Sequence, residues 1–140
     1  MSTIDLIILG IILDKPMSAY ELVSYVNEKQ ISRLLKISAP AVYKSCKRLS
    51  KSGFLDGKSS KESDLPEKTI YQINKNGKNK FNLLMEHFSS DIKPFYFDFN
   101  AFLWNIEKLE KKQGMEMLLN LNNELLKLKT WIIAHEKEVS

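Results

Sequence analysis

Apolar residues recur along the first part of the chain at spacings that predict two helices. Nearly every residue between Ile4 and Leu13 is apolar, which is typical of a helix that is buried on almost all of its surface. Ser2, with Asp5 three residues later, is suited to cap this helix. Pro16 breaks this helix, and the run Ser18-Ala19-Tyr20-Glu21 is a capping-box pattern that begins a second helix ending near Glu28. The apolar positions of the second helix are Tyr20, Leu22, Val23 and Val26.

A third helix and a β-hairpin are predicted next. Ser38 is suited to cap the helix, Pro40 fits its first turn, and Gly53 is placed just beyond its last turn. The runs Phe54-Leu55-Asp56 and Thr69-Ile70-Tyr71-Gln72-Ile73 are typical of short strands. The polar segment between them, GKSSKESDLPEK (residues 57–68), predicts a loop.

The remainder of the chain is predicted to be helical. Asn74 is suited to cap a fourth helix, and Pro94 marks the boundary after it. Beyond Pro94 the pattern predicts two further helices with a hinge near Gly114. The order is mainly α with a small β-hairpin. It predicts a winged helix-turn-helix domain over residues 1–90, followed by a carboxy-terminal helical dimerisation region over residues 91–140.

The third helix separates its apolar residues from its basic ones. Because successive residues of an α-helix turn by about 100°, Val42, Cys46 and Leu49 share one stripe that is expected to be buried. The opposite side carries the cations, and Tyr43 lies on the flank. The residues of that opposite side are Pro40, Lys44, Lys47, Arg48 and Lys51.

Positive charge is concentrated around this helix. The whole chain has a formal net charge of +4, but residues 40–80 hold ten basic and four acidic residues, an excess of six positive charges. A basic helix face alone is typical of a solvated surface. Its position as the third helix before a basic hairpin favours DNA binding, because one face can pack on the protein while the other meets phosphates and base edges.

We therefore predict a double-stranded DNA interface built on this helix and the hairpin. Lys44 and Lys47 are expected in the major groove, and Arg48 and Lys51 on the phosphate backbone. The predicted DNA-binding residues are Ser38, Pro40, Tyr43, Lys44, Lys47, Arg48 and Lys51 on the helix, with Lys58, Lys61 and Lys68 on the hairpin loop. The alternative is a winged-helix protein-interaction module, whose basic face docks an acidic protein partner.

Three segments resemble the PadR family of bacterial transcriptional regulators. They are ILGIILDKPMSAYELVSYV (8–26), ISAPAVYKSCKRLSKSGFLDG (37–57) and KTIYQINKNGKNKF (68–81). This chain has Ser18-Ala19 where the family commonly has His-Gly, and Ser38-Ala39-Pro40-Ala41 where it commonly has Ser-Pro-Gly-Thr. The resemblance implies a homodimer, usually a repressor, that binds a pseudo-palindromic operator. It also implies release from DNA when a small aromatic or lipophilic compound binds, as in several family members.

The tail has an apolar surface too broad for one partner helix to cover. Its leucines follow alternating spacings of three and four, the pattern of a helix that packs along its length. The predicted dimerisation residues are Phe99, Phe102, Leu103, Ile106, Leu118, Leu121, Leu125, Leu128 and Ile132. Trp104 and Trp131 lie off these stripes, so they either pack on another helix or line a flat aromatic ligand pocket between subunits.

No signature of an enzyme, a cofactor or a metal site is found in the sequence. Phosphate-binding glycine loops and HExxH helices do not occur, and His87 and His135 lie on separate predicted helices. The single cysteine, Cys46, excludes an intrachain disulfide; it is expected to be a buried apolar residue, with a thiol sensor as the weaker alternative. The amino terminus does not resemble a signal peptide, and the apolar run is too short to span a membrane. We expect a cytoplasmic protein.

Overall fold

The computed structural model describes residues 2–61 and 67–139, with side chains through residue 136. Its internal contacts divide the chain into two compact units, Met1–Ile92 and Lys93–Ser140. The first unit contains α1 (Thr3–Asp14), β1 (Met17–Ser18), α2 (Ala19–Glu28), a 3-10 turn (Ile31–Arg33), α3 (Ala39–Lys51), β2 (Leu55–Ser60), β3 (Lys68–Ile73) and α4 (Lys75–Ser90). The second contains α5 (Phe99–Asn105), a 3-10 turn (Ile106–Lys108) and α6 (Lys111–Val139). Along the described chain, no helix has both the length and the apolar character that a membrane span requires.

Side-chain caps begin the four main helices of the first unit where the sequence predicts them. In each, a side-chain oxygen accepts a hydrogen bond from the backbone N–H three residues later, which satisfies a donor that the helix itself leaves unpaired. The pairs are Ser2 with Asp5 at 3.2 Å, Ser18 with Glu21 at 3.2 Å, Ser38 with Ala41 at 3.4 Å and Asn74 with Gly77 at 2.8 Å. These local signals are confirmed.

The core of the first unit is formed where α1, α2 and α3 meet the sheet and α4. Its fully buried side chains are Ile8, Leu9, Ile12, Leu22, Val42, Cys46, Leu49, Leu55 and Leu84. The first helix is less enclosed than its apolar sequence predicts, because Leu13 is 40% exposed and Ile4, Leu6 and Ile7 are only partly buried. Within this unit, α1 therefore keeps an uncovered apolar edge.

The sheet has three antiparallel strands in the order β1-β3-β2. The predicted hairpin forms with Leu55 opposite Ile73 and Ser60 opposite Lys68, and β1 adds to its free edge with Met17 opposite Tyr71. Two sequence predictions are corrected here. The strand β1 was not expected, and β2 continues to Ser60, so residues 57–60 belong to a strand rather than to a loop. Cross-strand hydrogen bonds to β3 hold this polar segment extended.

Hydrogen bonds join the turn that ends α3 to the residue that begins α4. Gly53 has a φ of +83°, and the N–H of Phe54 donates to the carbonyl of Leu49 at 2.9 Å, which makes the predicted Schellman ending. The side-chain amide of Asn74 donates to the Gly53 carbonyl at 2.9 Å and to Asp56 Oδ1 at 3.1 Å. One amide thus holds the end of α3, the start of β2 and the start of α4 together.

In the second unit, α6 is one continuous helix of 29 residues. The predicted hinge at Gly114 is wrong, because the chain turns at the 3-10 segment Ile106–Lys108 and Gly114 lies inside the first part of α6. Gly114 is buried against that turn, where an added Cβ would lie 3.5 Å from Ile106 Cγ1. Gly114 therefore packs against the turn at ordinary contact distance and does not break the helix.

Candidate nucleic-acid interface

The third helix presents the division of faces that its sequence predicts. Val42, Cys46 and Leu49 are at most 1% exposed and form the side that packs on the core. The exposed side chains are Ser38, Pro40, Tyr43, Lys44, Lys47, Arg48 and Lys51, seven of the ten predicted DNA-binding residues. Lys44, Lys47 and Lys51 form no ion pair with any described residue, so their charges face solvent.

Arg48 differs from the other cations of the helix because its guanidinium already has a carboxylate partner. Its two terminal nitrogens donate to the two oxygens of Asp5 at 2.8 and 2.6 Å, and one of them also donates to Ser45 Oγ at 3.3 Å. The hydrogen bond with Asp5 is the main cause that raises the pKa of Arg48. The structure therefore places Arg48 on the α1 side of the helix, where it is joined to the protein itself.

The wing is the hairpin of β2 and β3, and its lysines lie at different places than the sequence suggests. Lys58 lies within β2 opposite Ile70, and Lys68 begins β3 opposite Ser60, so neither is a loop residue as predicted. Lys61 directly follows β2 and is exposed, while residues 62–66 of the predicted loop lie outside the described residues. Lys68 Nζ lies 3.9 Å from Glu21 Oε1, a weak exposed pair.

A cleft of about 920 Å³ separates the third helix from the wing. It is lined by three tyrosines (Tyr20, Tyr43 and Tyr71), two lysines (Lys47 and Lys68), two carboxylates (Glu21 and Glu67), and the small residues Ser18, Ala19, Ser60 and Thr69. The cleft also borders the first turn of α2, where the positive end of the helix dipole favours an anion, although Ser18 Oγ already accepts the Glu21 N–H there. Exposed lysines, phenolic hydroxyls and a helix amino terminus are the groups that hold a phosphate backbone.

Tyr20 is the residue of this surface for which the sequence prediction is wrong. It was expected among the apolar positions of α2, yet it is 72% exposed and lines the cleft. The physical reason lies in its angle, because Tyr20 is two residues before the buried Leu22 and therefore lies about 200° around the helix from it. Helical spacing would have identified it as an outward-facing residue.

Cys46 lies behind the interface and does not reach its surface. It is 0% exposed, and burial together with the charge of Asp5 raises the pKa of its thiol to about 12. Because only a thiolate reacts readily with oxidants or metals, the geometry agrees with the predicted role of a small apolar core residue. In the part of the chain that the structure describes, no cluster of side chains is arranged to hold a metal ion.

The second unit exposes much of the apolar surface that the sequence assigns to dimerisation. A cleft of about 400 Å³ between α5 and α6 is lined by Phe99, Leu103, Leu118, Leu121 and Leu125 of that predicted set, with Met115, Leu119 and Asn122. Neither Trp104 nor Trp131 lines this cleft: Trp104 is 86% exposed, and Trp131 lies against the His135 ring with centroids 4.1 Å apart. The two tryptophans are therefore not among the residues that line the cleft between α5 and α6.

Comparison with known proteins agrees with this geometry. The family model described as the transcriptional regulator PadR-like family matches residues 8–83, which span α1 to most of α4. The chain is similar to Bacillus subtilis PadR in complex with operator DNA, with a TM-score of 0.70 and 19% identity over 92% of this chain and 75% of that one. It is also similar to smu.1604c from Streptococcus mutans UA159 (TM-score 0.58, 25% identity, 94% and 80%). A third similar structure is Bacillus subtilis PadR in complex with p-coumaric acid (0.64, 18%, 93% and 72%).

Among curated proteins, no sequence matches this chain. The family match nevertheless covers more than half of its residues, and the matched range contains the whole of α2, α3 and the three strands. The chain therefore belongs to the PadR-like family of transcriptional regulators, whose members are transcription regulators and not enzymes.

Proposed function

We propose that this protein is a homodimeric repressor that binds a specific pseudo-palindromic DNA operator. The observation that carries the proposal is the outward face of α3, where Tyr43, Lys44, Lys47 and Lys51 are exposed while the opposite face is buried. A helix of this kind enters the major groove with its first residues near base edges. The operator complex of the similar Bacillus subtilis PadR supports the same use of the fold.

Each part of the surface has a distinct proposed role. Lys44 and Lys47 lie in the major groove, and Tyr43 donates its hydroxyl to a phosphate or a base. Lys58, Lys61 and Lys68 follow the flanking backbone or minor groove along the wing, and Tyr20 donates to a phosphate at the first turn of α2. Arg48 contributes through Asp5 instead of through a phosphate. The site of action is the cytoplasm, as expected from the sequence.

The dimer is proposed from the second unit. The helix α6 is about 44 Å long, and Leu125, Leu128 and Ile132 along it are each about 40% exposed in the single chain. A second copy that covers this ridge would bring two α3 helices to a pseudo-palindromic site. Two-fold symmetry would then place them about one DNA turn apart, roughly 34 Å.

Genome-wide selection of DNA fragments by the purified full-length protein tests the proposal. The expected result is enrichment of a pseudo-palindrome whose half-sites are centred about 10 base pairs apart. Binding to the selected duplex should weaken steeply with salt, because several phosphate contacts release counterions. No enriched sequence, or affinity that does not change with salt, would overturn the proposal. A protein-docking module with a basic face would give that result.

We further propose that a small aromatic compound releases the DNA. The p-coumaric acid complex of the similar PadR supports this, as does the concentration of exposed aromatic side chains near the start of the second unit, including Tyr96 and Trp104. Titration with a panel of phenolic acids should quench the fluorescence of Trp104 or Trp131 and weaken operator binding at the same concentration. If no compound of the panel quenches the fluorescence or weakens operator binding, the proposal of an aromatic effector is refuted.

A further inference from the structure

A buried carboxylate lies directly behind the DNA-facing surface of α3. Asp5 belongs to the first turn of α1, and its side chain is 6% exposed, while that of its partner Arg48 is 50% exposed. Both carboxylate oxygens accept hydrogen bonds from the two terminal nitrogens of the guanidinium, at 2.8 and 2.6 Å. This planar arrangement fixes the orientation of both groups, which a single lysine contact would not do.

The other contacts between α1 and α3 do not set an angle so strictly. The faces that meet are apolar, with Ile8 and Leu9 of α1 and Leu49 of α3 in the same core. Burial of the Val42, Cys46 and Leu49 stripe sets which side of α3 faces the core. Apolar packing is not directional, so it fixes the rotation of α3 about its axis less strictly than a pair of hydrogen bonds does. Asp5 is itself held in place, because its backbone N–H donates to Ser2 Oγ at 3.2 Å. The ion pair is thus the directional constraint on this side of α3.

The ion pair between Arg48 and Asp5 is expected to persist when DNA is present. If the guanidinium moved to a phosphate, a buried carboxylate would remain without a counterion, which is strongly unfavourable. Asp5 forms no other ion pair within the described residues. Lys80 lines a small cleft together with Asp5 and Arg48, but its ammonium lies over the Phe54 ring, 5.5 Å from the centroid. A substitute cation is therefore not in place.

We propose that Asp5 is a positioning residue for DNA recognition: through Arg48 it fixes the rotation of α3 and so the direction in which Lys44 and Lys47 project. This inference rests on the proposed DNA-binding function. It separates Arg48 from the other cations of the helix, because Arg48 then affects affinity without contacting a phosphate.

The test is Asp5→Asn, measured on the duplex selected by the wild-type protein, under conditions where circular dichroism shows the variant folded. We expect the Kd to rise about tenfold, the size of a coupling between interacting residues, with no change in the salt dependence of binding. Arg48→Gln should give the same loss, and the double variant should lose no more than either single one. Asp14→Asn, which removes an exposed carboxylate from the same helix, is the matched control and should not weaken binding.

The sign of the Asp5→Asn effect distinguishes the alternatives. If Arg48 is instead a phosphate contact that Asp5 restrains, the variant will bind DNA more tightly and its salt dependence will steepen by about 0.9 per contact. If the pair is only structural, the melting temperature will fall while the affinity of the folded protein stays the same. Either result would overturn the inference.

Two further measurements keep the test decisive. If Asp5→Asn does not fold, Arg48→Lys is used in its place, because it keeps a cation beside Asp5 but removes the paired hydrogen bonds. This variant should bind DNA more weakly with unchanged salt dependence, and full affinity would contradict the inference. Wild-type binding is measured first. A wild-type protein that selects no duplex would overturn the proposed function together with this inference, whereas normal wild-type binding with an unaffected Asp5→Asn variant would overturn this inference alone.

Discussion

Replacing Lys44 and Lys47 together by alanine is the most direct perturbation of the proposed interface. Both side chains are exposed on α3, and neither forms an ion pair with the described residues, so their loss leaves no buried charge unpaired. Alanine also favours helix formation, and the buried stripe of Val42, Cys46 and Leu49 is not altered. We therefore expect the fold to remain while DNA affinity falls.

The size of the loss follows from counterion release when each of these two major-groove lysines is counted as neutralising one phosphate beside the groove. Each phosphate contact contributes about 0.9 to the slope of log K against log salt, which at 0.15 M salt corresponds to about fivefold in affinity. Two lysines give about 30-fold for one half-site. The proposed dimer presents the pair twice, so four contacts would raise the Kd by about 1,000-fold, or about 4 kcal/mol, and lower the slope by about 3.6.

Fluorescence anisotropy with the selected duplex, between about 50 and 200 mM salt, covers the range in which this dependence is steep. The matched control is Lys111→Ala with Lys112→Ala, which removes the same charge from exposed positions in the second unit. Wild-type slope and affinity in the α3 variant, or an equal loss in the control, would refute the assignment of this helix face to phosphates and bases.

Three further changes test other parts of the structure. Gly77→Ala would bring a Cβ into collision with the Phe54 carbonyl oxygen, a backbone atom that cannot move aside. It should lower the free energy of unfolding by about 1–3 kcal/mol in a denaturant titration. The control Gly114→Ala, whose added Cβ makes only ordinary contacts, should not be destabilising. With a thiol pKa of about 12, native Cys46 at pH 8 is about one ten-thousandth thiolate, so rapid modification by a thiol reagent without denaturant would contradict its burial. Leu125→Lys should convert the proposed dimer to monomers in light scattering, and an unchanged dimer mass would exclude Leu125 from the interface.

The parts of the fold that short-range signals specify were predictable from sequence. Ser38 and Gly53 mark the ends of α3 through hydrogen bonds to residues three to five positions away, and the faces of that helix follow from its angular repeat. The strand β1 could not be found in this way. Its two residues have no pattern of their own, and they are extended because Met17 and Ser18 meet β3 more than fifty residues later.

Within the candidate site, the same distinction holds. The outward lysines of α3 follow from periodicity, but the partner of Arg48 does not, because Asp5 lies 43 residues earlier and an acidic residue in a mostly apolar helix gives no indication of what it faces. Gly114 illustrates the opposite error. The conformational freedom of glycine predicts a break in the helix there, whereas α6 is continuous and Gly114 packs against Ile106 at ordinary contact distance.

The joint at Gly53, Asn74 and Gly77 has a mechanical consequence. It fixes the first turn of α4 to the end of α3, and the 16 residues of α4 extend about 24 Å from that point. A tilt of only 5° there would displace the far end of α4 by about 2 Å. If the packing of α4 on α1 followed such a tilt, a small backbone change in the last turn of α3, beside the proposed DNA surface, would become an ångström-scale displacement near Ser90.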